Sequence, residues 1–335
     1  MTGKVHSPLA RMTRRAALLM ATLVAPAVAF AQPAAQPSDW PKDPITFVAP
    51  FSPGGGGDTL TRLFGNELGK ALGSTIIVEN RPGAGGNIGT AYVAKAAPDG
   101  NTVIFGTMGT MGTNHALYKK TGYSIDDFEP VAMFGTTALA LVVGPNSPFR
   151  SVADIIAYGK KNPGGLSCAF GGNGTVSHLA CAMLEQMAGI EVNAIPYKAS
   201  SAAYVDLMSD RVSFMIDVVP PLAAQVKGGK LRALAVSLKQ RIPMLPDTPT
   251  IADTVPGYEI FSWDGLFAPK GTPAARLDKL HDAVARSLAN PEFRETMTNR
   301  GYTLTNMPRK GFADFVKKEY VRMGDVVRKI GVTLD

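Results

Sequence analysis

A strand that runs into four consecutive glycines, near the start of the chain, limits most strongly how this sequence can fold. Residues 45–49 are rich in strand formers and are bounded by prolines, and Gly54 to Gly57 follow them. Because glycine has no Cβ, a ligand can approach the backbone N–H groups of such a loop directly. We expect a helix capped by Asp58 to come next, so that loop and helix N-terminus together form an anion site.

The same arrangement occurs three more times along the chain. Glycine loops at 80–87, 106–113 and 171–178 follow the predicted strands 75–79, 102–105 and 166–170. One such loop alone is equally well explained as a flexible turn. Four of them predict loops that converge at the carboxyl ends of parallel strands, where open α/β folds bind ligands.

The first 31 residues have the pattern of a secretory signal peptide. Four basic residues precede an apolar run at 16–30, and small residues stand at Ala29 and Ala31, the positions that signal peptidase reads. We expect cleavage near Ala31. The pair Arg14 and Arg15 leaves both general and twin-arginine export open. An uncleaved anchor is disfavoured because the run is shorter than the ~20 residues that span a bilayer.

Charge and composition narrow the class of ligand. Loss of the signal removes four positive charges and no acidic ones, so the formal net charge falls from +7 to +3. No basic cluster with interleaved aromatic residues remains, which argues against nucleic acid as a partner. The remaining positive balance favours anionic ligands.

The chain is long enough for two lobes, with 335 residues of which 45% are hydrophobic. Strands and helices alternate twice, and a helical region follows. We predict a signal peptide at 1–31, a leader at 32–44, a first lobe from 45–138 and 261–335, and a second lobe from 139–260. Two crossings between the lobes would leave a cleft that loops of both lobes face.

Cys168 and Cys181 are the two cysteines of the sequence, one on a predicted strand and one on the helix that follows. An exported protein can hold them as a disulfide. Spacing does not fix geometry, however, and the sequence favours two buried free thiols.

Catalytic and metal-binding groups are not indicated. None of the histidines has a second ligand at metal spacing, and His178 is interpreted as a helix-start residue that bonds its own loop. Asp217, near the end of a predicted strand, has no nucleophile or metal beside it in the pattern. We therefore predict a binding protein that is not an enzyme and needs no cofactor or metal.

Several ordered motifs also carry a family resemblance over nearly the whole mature chain. They lie at 50–58, 78–89, 96–100, 172–179, 195–198, 229–236 and 245–250. In these stretches the chain resembles the solute receptors of tripartite tricarboxylate transporters, often called the Bug family. The resemblance implies an α/β, two-lobed periplasmic-binding-protein fold of type II. Each lobe would be a mixed, mostly parallel sheet flanked by helices, with a cleft between.

The resemblance further implies a monomeric periplasmic receptor that closes on a small carboxylate and delivers it to the large and small membrane subunits of a transporter. Loops 51–58 and 170–177 would grip the carboxylate like pincers, with 107–113 as a third contributor. The expected ligand-binding residues are Phe51, Gly54, Gly55, Gly56, Gly57, Asp58, Thr107, Thr110, Phe170, Gly171, Asn173, Gly174, Thr175 and Asp217. A sensory receptor for a membrane kinase and, less favoured, an enzyme on the same scaffold are the alternatives.

Departures from the family pattern suggest a ligand less polar than citrate or an amino acid. Gly57 stands where threonine or serine is usual, and Phe170 where a small polar residue is usual. Met108 and Met111 add apolar surface to the third loop. We expect an aromatic or longer-chain carboxylate if Phe170 lines the site, although its ring can instead point into the core.

Overall fold

A strand of 16 residues, β4 (Phe128–Val143), runs through the middle of one mixed sheet. The computed structural model describes residues 1–3 and 40–334, and residues 40–334 belong to one unit that holds every element named below. Except for residues 1–3, the predicted signal peptide lies outside the described residues, as does the leader up to residue 39.

Ten strands are found in the part of the chain that the structure describes. Besides β4 they are β1 (Ile45–Ala49), β2 (Ile76–Asn80), β3 (Thr102–Thr107), β5 (Leu166–Phe170), β6 (Val192–Pro196), β7 (Phe214–Val218), β8 (Arg232–Val236), β9 (Phe261–Pro269) and β10 (Tyr302–Leu304).

The α-helices within residues 40–334 flank the sheet. They are α1 (Gly56–Leu72), α2 (Asn87–Ala94), α3 (Asn114–Leu117), α4 (Val152–Lys161), α5 (Val176–Ala188), α6 (Ser200–Met208), α7 (Val219–Lys227), α8 (Ala274–Ala289), α9 (Pro291–Asn299) and α10 (Arg309–Ile330). A π-helical turn, Gly109–Thr113, leads directly into α3, which is shorter than the predicted helix at 114–119.

The sheet has the order β2-β1-β3-β9-β4-β7-β5-β6, with β8 and β10 also paired to β4. Strand β1 pairs in parallel with β2 and β3, and β5 pairs in parallel with β6 and β7. The long strands β4 and β9 join these two parallel groups by antiparallel pairing. The mixed α/β architecture agrees with the two-lobed fold expected from the sequence.

Strand β4 changes its pairing partners halfway along. From Phe128 to Ala138 it pairs with β9, and from Leu139 onward it pairs with β7 and β8. The sequence predicted two short strands here, at 131–134 and 139–143, and that prediction is wrong because the backbone continues as a strand between them. Strand β10, which pairs with β4 through Tyr302, was not predicted.

Apolar side chains explain why these elements pack. Phe47 and Phe64 belong to one buried cluster between the sheet and helices α1, α8 and α9. Trp263 and Phe312 belong to a second cluster that includes residues of α5 and α10. Trp40, from the predicted leader, is also buried, and its Nε1 donates to Asn101 Oδ1 at 2.7 Å. The packed fold therefore begins before β1.

Cys168 and Cys181 are bonded as a disulfide between β5 and α5. The predicted pair of free thiols is wrong, because the helix that follows the strand packs directly on it.

Within residues 1–3 and 40–334, no helix is both long and apolar enough to cross a membrane.

Candidate ligand-binding site

A cavity of about 840 Å³ opens where the glycine loops meet, a size typical of small-molecule sites. Loops and helix N-termini supply Phe51, Gly54, Gly56, Gly57, Thr59, Leu60, Gly85, Met108, Gly109, Asn114, Tyr118, Asn173, Gly174, Thr175 and Val176. Strand residues and other segments supply Phe105, Thr107, Thr137, Val218, Pro220, Pro221, Ser262, Asp264, Asn299, Arg300, Tyr302 and Leu334. The cavity therefore joins residues from both parallel groups of the sheet.

The first glycine loop brings the N-terminus of α1 to the cavity. Gly55 is the N-cap, with extended backbone angles, and Gly56 and Gly57 form the first turn. The N–H groups of a first turn have no partner inside their own helix, and the helix dipole adds positive potential there. The loop therefore presents bare backbone donors to an anion, because none of these residues carries a side chain.

Asp58 lies inside the first turn of α1, so the prediction that it is the N-cap is wrong. It is buried, and its carboxylate accepts hydrogen bonds from the Gly54 N–H at 2.8 Å and from Asn80 Nδ2 at 2.7 Å. Arg62 Nε donates to the same group at 3.1 Å. The bond from Asn80, followed by that from Gly54, lowers the pKa of Asp58 from 3.8 to about 2. Asp58 fixes the loop and does not line the cavity.

The second pincer is the N-terminus of α5, on the opposite parallel group. Thr175 is its N-cap, and the hydroxyl accepts the His178 N–H at 3.4 Å and donates to the Gly172 carbonyl at 2.8 Å. The Gly174 N–H donates to His178 Nδ1 at 3.1 Å, so the proton of a neutral His178 is on Nε2. Burial lowers the pKa of His178, which favours the neutral ring. The hydroxyl of Thr175 is therefore committed to the loop.

The third loop offers a free hydroxyl proton. Thr107 Oγ1 accepts the Thr110 N–H at 3.2 Å, while Thr110 Oγ1 accepts the Thr107 N–H at 3.1 Å. Thr107 lines the cavity and keeps its own hydroxyl hydrogen for a ligand. Tyr123 holds the loop from behind, because its hydroxyl donates to the Thr110 carbonyl at 2.6 Å.

Polar side chains of four adjacent strands form one wall of the cavity, and Thr107 is the one among them that the sequence analysis predicted. Thr137 on β4 pairs with Ser262 on β9 and with Tyr302 on β10. Asp264 follows on the same face of β9, opposite Thr107. Two polar residues two positions apart, Ser262 and Asp264, in the otherwise apolar β9 are the signal that the sequence offered. The short strand β10 offered no such signal in the sequence.

Asp264 is the acidic side chain of this wall. It is buried, and the Tyr302 hydroxyl donates to its Oδ2 at 2.9 Å. Burial raises the pKa of Asp264 from 3.8 to about 7, although the bond from Tyr302 opposes this rise. No basic side chain within residues 40–334 forms an ion pair with it.

The remaining lining is mostly apolar, with one cation. Phe51 packs its ring edge-on against Phe105, with 6.0 Å between the ring centroids. Arg300, just after α9, lines the cavity and is exposed. Its guanidinium has no hydrogen-bond or ion-pair partner among the residues that the structure describes. The site thus combines apolar surface, backbone donors and one exposed positive charge.

Eight of the predicted site residues line the cavity: Phe51, Gly54, Gly56, Gly57, Thr107, Asn173, Gly174 and Thr175. Six do not: Gly55, Asp58, Thr110, Phe170, Gly171 and Asp217. Phe170 is buried and stacks on His178, with 4.2 Å between the ring centroids. Gly171 lies against Ser200 at the start of α6. Asp217 is buried and accepts hydrogen bonds from Ser177 and Tyr204.

No group of three or more histidine, cysteine, aspartate or glutamate side chains is placed to hold a metal ion among the described residues.

The sequence analysis did not predict Gly85, which lines the cavity and whose carbonyl accepts from Asn114 Nδ2 at 3.0 Å. It belongs to the second glycine loop, so the repeated loop pattern was the available signal.

Comparisons with known proteins identify the family. Residues 60–332 match the model of the tripartite tricarboxylate transporter family receptors. A protein from the tcbD-tcbE intergenic region of Pseudomonas sp. (strain P51) is 37% identical over 84% of this chain and 85% of its own length. Protein BugT of Bordetella pertussis is 32% identical over 88% of this chain and 91% of its own.

Solved structures agree with the fold. Rpa4515 of R. palustris, in a structure with adipate, has a TM-score of 0.78 and 35% identity, covering 88% of this chain and 99% of that one. MatC from Rhodopseudomonas palustris with bound malate has a TM-score of 0.73 and 33% identity, covering 86% and 99%. The chain belongs to the tripartite tricarboxylate transporter receptor family, the Bug group of periplasmic solute-binding proteins.

Proposed function

We propose that this protein captures a small carboxylate in the periplasm and delivers it to the membrane subunits of a tripartite transporter. The observation that carries the proposal is the position of two helix N-termini, those of α1 and α5, on the same cavity. Each N-terminus offers unpaired N–H groups and the positive end of a dipole. Charge-assisted bonds from such groups hold a carboxylate without a buried arginine.

The ligand we propose has at least one carboxylate and an apolar body. Phe51, Phe105, Leu60 and Met108 give the cavity apolar surface, which supports the expectation of a longer-chain or aromatic acid. Phe170 does not contribute, since it packs on His178. The structures of two relatives contain adipate and malate, so an unbranched dicarboxylate is the first candidate.

Closure of two lobes would bring the pincers together. The proposed lobes are 45–138 with 261–335, and 139–260. The change of β4 pairing at Ala138 and Leu139, where the strand leaves β9 for β7 and β8, supports this division. Hinge closure between lobes of one continuous sheet would exclude water from the ligand and strengthen each polar contact.

Calorimetric titration with adipate, malate, citrate and benzoate, together with the uncharged adipamide, tests the binding role. We expect adipate or benzoate to bind and adipamide to bind at least tenfold more weakly, because only the carboxylate gains from the two helix N-termini. Equal binding of adipate and adipamide would contradict the anion site. Strong binding of citrate with none of adipate or benzoate would contradict the apolar ligand.

Export and transport need their own measurements. N-terminal sequencing of protein recovered from the periplasm should begin near Gln32 if the predicted signal is cleaved at Ala31. Uptake of the labelled ligand by cells that lack this receptor should fall, and should return with the wild-type gene. Turnover of a bound carboxylate would instead support the enzyme alternative, and unchanged uptake would favour the sensory one.

A further inference from the structure

We propose that Asp264 forms a second polar subsite of this cavity, in which its carboxyl group binds a ligand carboxylate in the protonated form, so that a proton enters with the ligand. The inference rests on the proposed function, because it assumes that the ligand is a carboxylate held beside Thr107. It adds the residue that couples binding to pH.

The strand register places Asp264 beside Thr107 of the third loop. Asp264 on β9 is the direct antiparallel partner of Thr107 on β3. Directly opposed residues point to the same face with their Cβ atoms roughly 4.5–5.5 Å apart. Thr107 offers a hydroxyl hydrogen to the ligand, and both residues line the cavity. A carboxylate bonded to Thr107 would therefore lie next to the carboxyl group of Asp264.

The hydrogen bonding of Asp264 leaves room for a proton. The Tyr302 hydroxyl donates to Oδ2, and no other hydrogen bond to this carboxyl group is found within residues 40–334. A buried carboxylate is normally stabilised by a cation or by several donors, and Asp264 has one neutral donor. Contrast Asp58, which accepts bonds from Gly54, Asn80 and Arg62. The neutral form of Asp264 suits its surroundings.

Neighbouring elements bring no cation to Asp264. Its strand partners, Thr107 and Gly135, are uncharged. The basic groups of two nearby helices have other partners. On α1, Lys70 pairs with Glu67, and on α8, His281 contacts the Val131 carbonyl.

The other ionisable groups around the cavity form no ion pair with Asp264 in the described chain. Tyr118 and Arg300 are the remaining ionisable side chains of the described lining besides Asp264 and Tyr302. Arg300, after α9, is exposed and forms no ion pair with Asp264. Tyr302 is the one ionisable residue of β10, and apart from its hydroxyl no side chain of the described chain makes a hydrogen bond to this carboxyl group.

The negative charges of an ionised Asp264 and of an adjacent ligand carboxylate cannot both be accommodated in a closed cavity. Burial already raises the pKa of Asp264 to about 7 without ligand, and an adjacent carboxylate raises it further. A protonated carboxyl group donates a hydrogen bond to the carboxylate, which removes the repulsion and adds a charge-assisted bond. At pH 7 roughly half of the Asp264 carboxyl groups in the free protein would be protonated, so binding would take up about half a proton per ligand.

The test uses adipate and the purified mature protein. Calorimetric titrations in two buffers with different ionisation enthalpies, at pH 6, 7 and 8, report both affinity and proton uptake. We expect binding about fivefold to tenfold weaker at pH 8 than at pH 6, with net proton uptake at pH 7 and 8. Proton release, or an affinity that does not change with pH, would overturn the proposal.

Asp264→Asn mimics the protonated state, since the amide can donate to the ligand. We expect it to bind adipate about as tightly at pH 8 as the wild type does at pH 6, with no proton uptake. Asp217→Asn is the matched control, because Asp217 is also buried beside a tyrosine but does not line the cavity. Its proton uptake should equal that of the wild type, and loss of uptake there would contradict the assignment to Asp264.

Tyr302→Phe keeps the inference testable if Asp264→Asn does not fold. Removal of the Tyr302 hydroxyl takes away the bond that lowers the pKa of Asp264. The midpoint of the affinity–pH curve should therefore move to higher pH, which a purely structural role would not produce. A midpoint that stays in place or falls overturns the proposal.

A titration of the free protein separates this inference from the proposed function. The carboxyl carbon of Asp264, followed by NMR without ligand, should titrate near pH 7, and a midpoint near 4 overturns the inference even if carboxylates bind. If no carboxylate binds at any pH, the proposed function fails and the ligand coupling fails with it. If a carboxylate binds without proton uptake, the coupling through Asp264 fails and the proposed function stands.

Discussion

The ring of Phe51 occupies the space that a side chain at position 57 would need. A Cβ atom added to Gly57 would lie 2.5 Å from Phe51 Cδ2 and 2.6 Å from Cγ. The ring is held there by edge-on packing against Phe105. A threonine or serine side chain at position 57 and the Phe51 ring in its present place therefore exclude one another. The ring thus forms an apolar wall where a hydroxyl donor at position 57 would stand.

Gly57→Thr should therefore destabilise the loop. Threonine would push the whole Phe51 ring from its place, since even Cγ is too close, and overpacking of this kind costs about 1–3 kcal/mol of unfolding free energy. The double variant with Phe51→Ala should recover that stability and shift preference from adipate toward citrate. Chemical unfolding and calorimetric titration measure the two effects. A Gly57→Thr protein as stable as the wild type would contradict the steric exclusion.

Asp58→Asn should lower stability at neutral pH and much less at acidic pH. The folded state lowers the pKa of Asp58 from 3.8 to about 2, so its carboxylate stabilises the fold above pH ~4. That stabilisation is lost as the pH falls through 2. We expect a loss of about 1–2 kcal/mol at pH 7 and little difference near pH 2. Urea unfolding of both proteins across this range measures it, and an equal loss at both ends would show that charge is not the cause.

Sequence reasoning located the loops of this site better than its strands. The glycine loops and helix starts follow from local chemistry, so Gly56, Gly57 and Gly174 could be placed at the cavity. Phe170 was misplaced because the direction of the last residue of a strand depends on alternation. It shares a face with Cys168, under α5. Asp264 could not be placed, because its contact with Tyr302 joins strands 38 residues apart.

Thr107→Val and Thr175→Ala should have opposite signatures. Thr107 has a free hydroxyl hydrogen in the cavity, so its loss should weaken adipate binding about tenfold, roughly the worth of a hydrogen bond to a charged group. Thr175 caps α5, so its loss should lower unfolding free energy by about 1 kcal/mol. Thr175→Ser, which keeps the cap, is the control. Unaltered affinity in Thr107→Val would remove Thr107 from the site.

Arg300→Ala should separate dicarboxylates from monocarboxylates. The guanidinium lines the cavity, is exposed and has no partner among the described residues, so it can reach the distal charge of a long ligand. Because exposed ion pairs are weak, adipate binding should fall only about fivefold. Benzoate, which has no second carboxylate, should bind as before, and high salt should abolish the difference. An equal loss of affinity for both ligands would show that Arg300 does not act on the second carboxylate of adipate.

Leu334→Ala should weaken ligand binding although the residue lies almost at the end of the chain. Its N–H donates to the Leu117 carbonyl at 2.6 Å, and its side chain lies directly beneath Gly174 of the second pincer. A smaller residue would leave that loop unsupported, so part of the binding free energy would be spent on ordering it. Thr333→Ala, an exposed neighbour, is the control. We expect adipate affinity to fall severalfold for Leu334→Ala only, and equal affinities would show that the second pincer keeps its shape without this contact.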